Sequence, residues 1–283
     1  MIGYKGWRIP EGNVVQVTDA SGVVIWKLET SKPVILEVEK ITSNTYAGGT
    51  TYTGEQFILL DIYPKTNGTV NITYGGLTKT ITDTSGVEEP NAQQVFFGTL
   101  YGVSDGVTTP ASGTLTIEGE CRGFGCGNYS KTSKDIVPQY CSCITKIESF
   151  GNTELLPEKA FLSCTKITSV ELPRGLKTIE TNAFMSTGLT NVEIPSSVES
   201  IGYCAFTDGM GDAILKTVRM LSTIPPKLVS YTATNGEILY NAFGGVDGEN
   251  IVLEQIIIPK GCANTYKTTE GWSIYADYIV EAS

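Results

Sequence analysis

The chain has 283 residues, with 20 Lys and Arg against 30 Asp and Glu, a net charge of −10. Nucleic-acid binding draws on clustered Lys and Arg, so this balance argues against a phosphate-backbone partner. Histidine is absent, which removes the usual general base, the Ser-His and Cys-His nucleophile pairs and the commonest transition-metal ligand; a non-enzymatic chain without a cofactor is expected.

The opening "MIGYKGWRIPEGNVVQV" has no apolar core or cleavage site of a signal peptide, and no run reaches the length of a membrane span. Synthesis in the cytoplasm with no membrane association is the expectation. Residues 14–28, "VVQVTDASGVVIWKL", set two apolar runs around Asp19-Ala20-Ser21-Gly22 and predict a β-hairpin within residues 1–30. A lone hairpin is barely stable, so this one is expected to lean on a partner or on the next domain.

Residues 31–120 hold short strand signals: "PVILEVEKI", "QFILLDIY", "TVNITYG", "LTKTITD", "QQVFFGTLYG" and "GTLTIEG", with Asn67-Gly68, Gly75-Gly76 and Ser85-Gly86 as turns between them. They predict an immunoglobulin-like β-sandwich. The Gly-rich stretch "CRGFGCGNY" follows and reads as part of a hinge over residues 121–136. It lacks the strand-before, helix-after setting of a phosphate loop.

From residue 137 the chain repeats itself. "ITSVELPRGLKTIETNAF" and "LTNVEIPSSVESIGYCAF" keep Ile167/Leu189, Val170/Val192, Leu172/Ile194, Pro173/Pro195, Leu176/Val198, Ile179/Ile201, Ala183/Ala205 and Phe184/Phe206 in step. An earlier copy holds Ile144, Ile147, Leu156, Ala160 and Phe161; later ones hold Leu215, Val218 and Met220, then Leu253, Ile256 and Ile258. "IVPQYCSC" reads as a degenerate first turn. A period of about 22 residues around L-x-x-V-x-I-P predicts a leucine-rich-repeat solenoid, whose units must stack because none buries its apolar side alone. Insertions after Pro226 and over Val246–Asn250 predict surface loops, where binding specificity concentrates. The end, "ANTYKTTEGWSIYADYI", predicts a short helical cap whose Tyr and Trp close the core. The expected fold is therefore mainly β: hairpin, sandwich, hinge, then a solenoid with its cap over 137–283.

These motifs resemble the BspA-type leucine-rich repeat, found in bacterial surface proteins and in some protist and phage proteins. Pro225-Pro226, Ala242-Phe243, Pro259-Lys260-Gly261, Tyr266, Gly271-Trp272 and Tyr275 are similar to that family's terminal unit. The opening "IPEGNVVQVTDASGVVIWKL", and "YGGLTKTITDTSG…PNAQQVFFGTLYGVSDG" after it, resemble virion proteins in phages of gut bacteria. The resemblances imply a virion structural protein of head or tail, assembled in the bacterial cytoplasm. Its N-terminal half would hold other virion proteins, and its solenoid would meet a host surface protein or glycan. The alternative is a bacterial cell-surface adhesin. A homo-oligomer is compatible with either.

Three further patterns have bland readings. Cys121, Cys126, Cys141 and Cys143 lack the paired C-x2-C knuckles of a zinc ribbon, and Cys143 and Cys164 read as small core residues, so no metal is expected. The seven cysteines are an odd number and suit free thiols better than a disulfide scaffold. Asn67-Gly68-Thr69, Asn71-Ile72-Thr73 and Asn128-Tyr129-Ser130 fit the glycosylation pattern by chance.

The residues flanking each repeat's central apolar position should point outward: Lys146 and Glu148, Ser169 and Glu171, Asn191 and Glu193, Thr217 and Arg219, then Gln255 and Ile257. They form the candidate interaction face. Glu148, Glu171 and Glu193 should then stack about 5 Å apart on neighbouring strands, a repulsion that solvent, a cation or a basic partner would relieve.

Overall fold

A computed structural model describes residues 14–18, 24–29, 32–39, 44–45, 51–52, 57–100, 103–104, 112–126, 143–207, 214–244 and 252–283. The expected hairpin is there: β1 (Val14–Thr18) and β2 (Val24–Glu29) pair antiparallel, with Val14 opposite Glu29. Its turn, residues 127–142 with the rest of the expected hinge and all of the degenerate first repeat but Cys143, and the Val246–Asn250 insertion lie outside the described residues.

The sandwich strands follow the alternation of their sequences. They are β3 (Val34–Val38), β6 (Phe57–Pro64), β7 (Thr69–Tyr74), β8 (Leu77–Thr82), β9 (Gln93–Leu100), β11 (Gly113–Gly119) and β12 (Cys121–Cys126). Two-residue strands β4 (Asn44–Thr45), β5 (Thr51–Tyr52) and β10 (Val103–Ser104) lie between them. In β3, Val34, Leu36 and Val38 are buried and alternate with half-buried Ile35 and Glu37, the period of a strand with one face inward. One sheet runs β10-β9-β6-β12, and the other runs β3-β11-β7-β8. They face each other through Tyr74 and Phe97, whose rings lie 5.7 Å apart edge to face.

Two pairings central to an immunoglobulin-type sandwich, second strand with fifth and third with sixth, are present as β6-β9 and β7-β11. The first and last strands have exchanged sheets: β3 lies beside β11, and β12 lies beside β6. That exchange sends the chain into the solenoid from within the sandwich.

The expected hinge begins instead as the buried strand β12. Its glycines permit close approach rather than bending. A Cβ on Gly123 would lie 2.5 Å from the Leu155 carbonyl oxygen, and one on Gly125 would lie 2.7 Å from the Ala160 Cα. Through Gly123, β12 pairs in parallel with β14 (Leu155–Leu156), the first coil of the solenoid. The same sheet continues with β15 (Thr178–Ile179), β17 (Ser200–Ile201) and β19 (Lys227–Leu228). One register row therefore crosses the junction. Ile62, Phe124, Leu156, Ile179, Ile201 and Leu228 point inward, while Tyr63, Gly123, Leu155, Thr178, Ser200 and Lys227 form the outer row beside it.

The second sheet is joined too. Strand β13 (Ile144–Phe150), the first repeat copy, pairs antiparallel with β3 at the edge of the sandwich. A separate parallel sheet of β16 (Asn191–Ile194), β18 (Thr217–Met220), β22 (Gln255–Ile258) and β23 (Ile279–Glu281) forms the far part of the solenoid. The inserted residues add a small antiparallel hairpin, β20 (Tyr231–Thr232) with β21 (Ile238–Leu239).

The Ala-Phe positions make the core of the solenoid. Before the Ala, Lys159, Asn182 and Cys204 take φ of 60°, 60° and 54°. This left-handed conformation costs about 1–2 kcal/mol for a residue with a side chain. It is offset by a ladder of backbone bonds between coils, in which the amides of Phe161, Phe184 and Phe206 donate to Ala183, Ala205 and Ala242 at 2.7, 2.7 and 2.9 Å. The result is a spine of rings: Phe161, Phe184, Phe206 and Phe243 stack with centroids 5.3, 5.3 and 5.8 Å apart. At one end Phe161 meets Phe124 and Phe150, at 5.7 and 6.1 Å. At the other end Phe243 meets Trp272 and Tyr275, at 5.9 and 5.5 Å.

The cap is helical, as its sequence predicts, with α1 (Ala263–Thr268) and a 3-10 turn at Ser273–Tyr275. Tyr266, Trp272 and Tyr275 are fully buried. The Tyr275 hydroxyl accepts the amides of Ala242 and Phe243 at 2.9 and 3.1 Å, and Trp272 Nε1 donates to the Pro226 carbonyl at 2.7 Å. Among the described residues no helix is long and apolar enough to cross a membrane.

Candidate interaction surface

The solenoid presents two outer sheet faces. On the face of β16, β18 and β22, Asn191, Thr217 and Gln255 stand in register, and beside them Glu193, Arg219 and Ile257 do the same. Part of the candidate face expected from the repeats is thus assembled by the fold. Arg219 Nε lies 3.9 Å from Glu193 Oε2, and Val280 of β23 extends the row past Ile257.

Its other members are not in that array. Lys146 and Glu148 lie on β13, which pairs with β3 of the sandwich, and they bond to each other at 2.5 Å. Ser169 and Glu171 are exposed, but the residues around them form no strand with β13 or β16. Ile167 and Leu172 still fill their core positions. The ladder fails there because the preceding copy's strand is bonded to the sandwich, leaving the coil without a parallel neighbour on that side.

The expected stack of Glu148, Glu171 and Glu193 therefore does not form. Glu148 takes Lys146 and Glu193 takes Arg219, so cations of the chain itself offset two of the three charges. Such exposed pairs are worth about 0–1 kcal/mol each. Among the described residues no group of three or more Cys, Asp or Glu stands close enough to hold a metal ion.

The other face is the outer side of the sheet shared by sandwich and solenoid. The insertion after Pro226 first supplies β19 and then the β20–β21 hairpin. Tyr231 of that hairpin is half exposed and stacks on Tyr203 of the preceding coil, with centroids 5.3 Å apart and planes at 29°. Val229 beside it and Ile238 on the hairpin's reverse side are exposed. These tyrosines are absent from the face expected from the repeats. A sequence signal exists: the residue two before Ala-Phe is Glu158, Thr181, Tyr203 and Tyr240 in successive copies, turning aromatic next to the insertion.

Burial pushes the Cys121 thiol up to about 12 and raises Cys204 as well. The Tyr203 hydroxyl is also pushed up to about 12, mainly by burial. Cys164 is buried in the core and Cys143 is half-buried, as small core residues should be.

Residues 134–225 match the family described as the BspA type Leucine rich repeat region, in six copies. No curated protein matches the chain.

Proposed function

We propose that this chain is a non-enzymatic binding protein, held by its N-terminal hairpin and sandwich, that displays the solenoid on a bacteriophage particle for contact with a host surface. The observation that carries the binding role is the rigid continuity of sheet and aromatic spine from the sandwich to the cap, with inserted residues exposed along it. Stacked repeats make a wide surface without a deep cleft, suited to many modest contacts around a few aromatic anchors. High thiol and phenol pKa values, together with the absence of histidine, favour binding over catalysis.

Placement on a virion rests on the resemblance of the opening residues to phage virion proteins. Serum raised against residues 137–283 tests it on purified particles. Labelled particles are the expected result. Bare particles beside labelled bacterial cells would overturn the virion placement and leave the adhesin.

A further inference from the structure

The sequence holds two Asn-Gly pairs, Asn67-Gly68 and Asn235-Gly236. In such a pair no side chain on the glycine hinders its amide nitrogen from attacking the side-chain amide carbon of the asparagine. The attack then depends on whether the fold leaves room for the five-membered ring it forms. The two pairs differ in this.

Asn67-Gly68 is locked. Gly68 is buried and its amide donates to the Lys65 carbonyl at 2.7 Å. A Cβ there would fall 2.8 Å from that oxygen and 2.9 Å from the Glu120 Cβ. The Asn67 amide donates to Asp83 Oδ2 at 2.8 Å, and the Gly68 carbonyl accepts the Asp83 amide at 2.9 Å. Asp83 thus ties the turn to the end of β8, next to the Thr69–Thr82 pair.

Asn235-Gly236 is open. Both residues are exposed at the tip of the β20–β21 hairpin, and among the described residues nothing lies within 4 Å of a Cβ placed on Gly236. The Gly236 amide donates to the Ala233 carbonyl at 2.8 Å. That bond belongs to a hairpin of two pairs, Tyr231–Leu239 and Thr232–Ile238, which opens at little cost. The Asn235 side chain is already placed for attack. Its Oδ1 accepts the Glu237 amide at 3.0 Å, and the small ring closed by this bond runs through the Gly236 nitrogen, keeping it beside Cγ. The same donor faces the oxygen on which negative charge gathers as Cγ is attacked. Nδ2, the leaving atom, lies 3.3 Å from the Glu237 carboxylate.

We propose that Asn235 is a site of spontaneous deamidation that remodels the inserted hairpin. The Gly236 nitrogen loses its proton and bonds to Asn235 Cγ; the Cγ–Nδ2 bond breaks and ammonia leaves. Water then opens the succinimide at either carbonyl, giving aspartate or isoaspartate. Nothing is oxidised or reduced, and water is the co-reactant. Either product puts a negative charge beside Glu237. Isoaspartate also adds a CH2 to the backbone between strands joined by two pairs, which shifts their register and frees Tyr231 from Tyr203. The exposed surface of the insertion changes with age while the aromatic spine beneath it stays intact. This holds whether or not the chain is displayed on a particle.

Incubation of the full chain at mildly alkaline pH, followed by peptide mapping in a mass spectrometer, tests this. The chain in urea serves as the reference in which both pairs are open. In the folded chain Asn235 should convert at least about tenfold faster than Asn67, whereas in urea the two should convert alike. Enzymatic methyl labelling of isoaspartate should rise with the same time course, and Asn235→Gln should abolish it without lowering the melting temperature. The aged wild type should keep its melting temperature but change its near-ultraviolet tyrosine dichroism. Equal rates in the folded chain, faster conversion at Asn67, or an Asn235 left intact after the urea reference has converted would overturn the proposal. An unchanged tyrosine signal in fully converted protein would overturn the remodelling of the hairpin.

Discussion

The sandwich and the solenoid build β-structure by opposite routes. In the sandwich, β3 finds β11 and β13 far along the chain, so its core depends on pairings that close long loops. In the solenoid each coil pairs with the next, from Leu155 to Thr178 to Ser200 to Lys227. A local scheme absorbs insertions without losing register, which is why the β20–β21 hairpin leaves the spine unbroken. It also needs its ends covered. The cap covers one end with Trp272 and Tyr275; at the other, β12 and β13 make the sandwich itself the cover. The two regions differ in topology but share one core.

The largest expected effect comes from breaking that shared core. Phe161 touches Phe124 and Phe150 on one side and Phe184 on the other. Phe161→Ala should cost about 3–5 kcal/mol and lower the denaturant midpoint of both regions together. Loss from the solenoid alone would separate them.

The far end gives a sharper contrast. Tyr275→Phe keeps the ring but strips the acceptor from two buried amides, those of Ala242 and Phe243. A cost of about 1–3 kcal/mol is expected. Hydrogen exchange should rise at those amides while the sandwich strands stay protected.

A pH test addresses the sandwich. Asp83 accepts from the Ser85 hydroxyl at 2.6 Å and from the Asn67 amide at 2.8 Å, and these bonds hold its carboxyl below the ordinary range. The folded value is lowered, so its stabilisation is present above the unfolded carboxylate value of about 3.9 and is lost as pH falls through the folded one. Asp83→Asn should lower the melting temperature at pH 7 and change it less near pH 2. An equal change at both would contradict that account.

The smallest effect belongs to the exposed strand face. Glu193→Gln removes only the surface pair with Arg219, so it should change stability by less than about 1 kcal/mol. Calcium should leave the wild-type melting temperature unchanged; a rise would reveal a cation site.

Much of this fold is legible in the sequence because its signals are local. Alternation marks the sandwich strands, the Ala-Phe step marks the spine, and Tyr266, Trp272 and Tyr275 mark the cap. What is not legible depends on partners distant in the chain. Gly123 and Gly125 read as a hinge because nothing local reveals that Leu155 and Ala160 press against them. The copy at Ile167–Leu172 reads like its neighbours, yet it lacks a strand because β13 is paired with β3. The candidate face divides for the same reason: Asn191, Glu193, Thr217 and Arg219 lie on paired parallel strands, while Lys146, Glu148, Ser169 and Glu171 lie where that pairing is interrupted. The Tyr203–Tyr231 stack depends on how the inserted hairpin folds back, which periodicity does not encode.

Scanning calorimetry of the full chain tests the shared core most directly. A core continuous from Phe124 to Trp272 should melt in one transition, with calorimetric and van't Hoff enthalpies in agreement. Two resolved transitions, one moved by Asp83→Asn and the other by Tyr275→Phe, would contradict it.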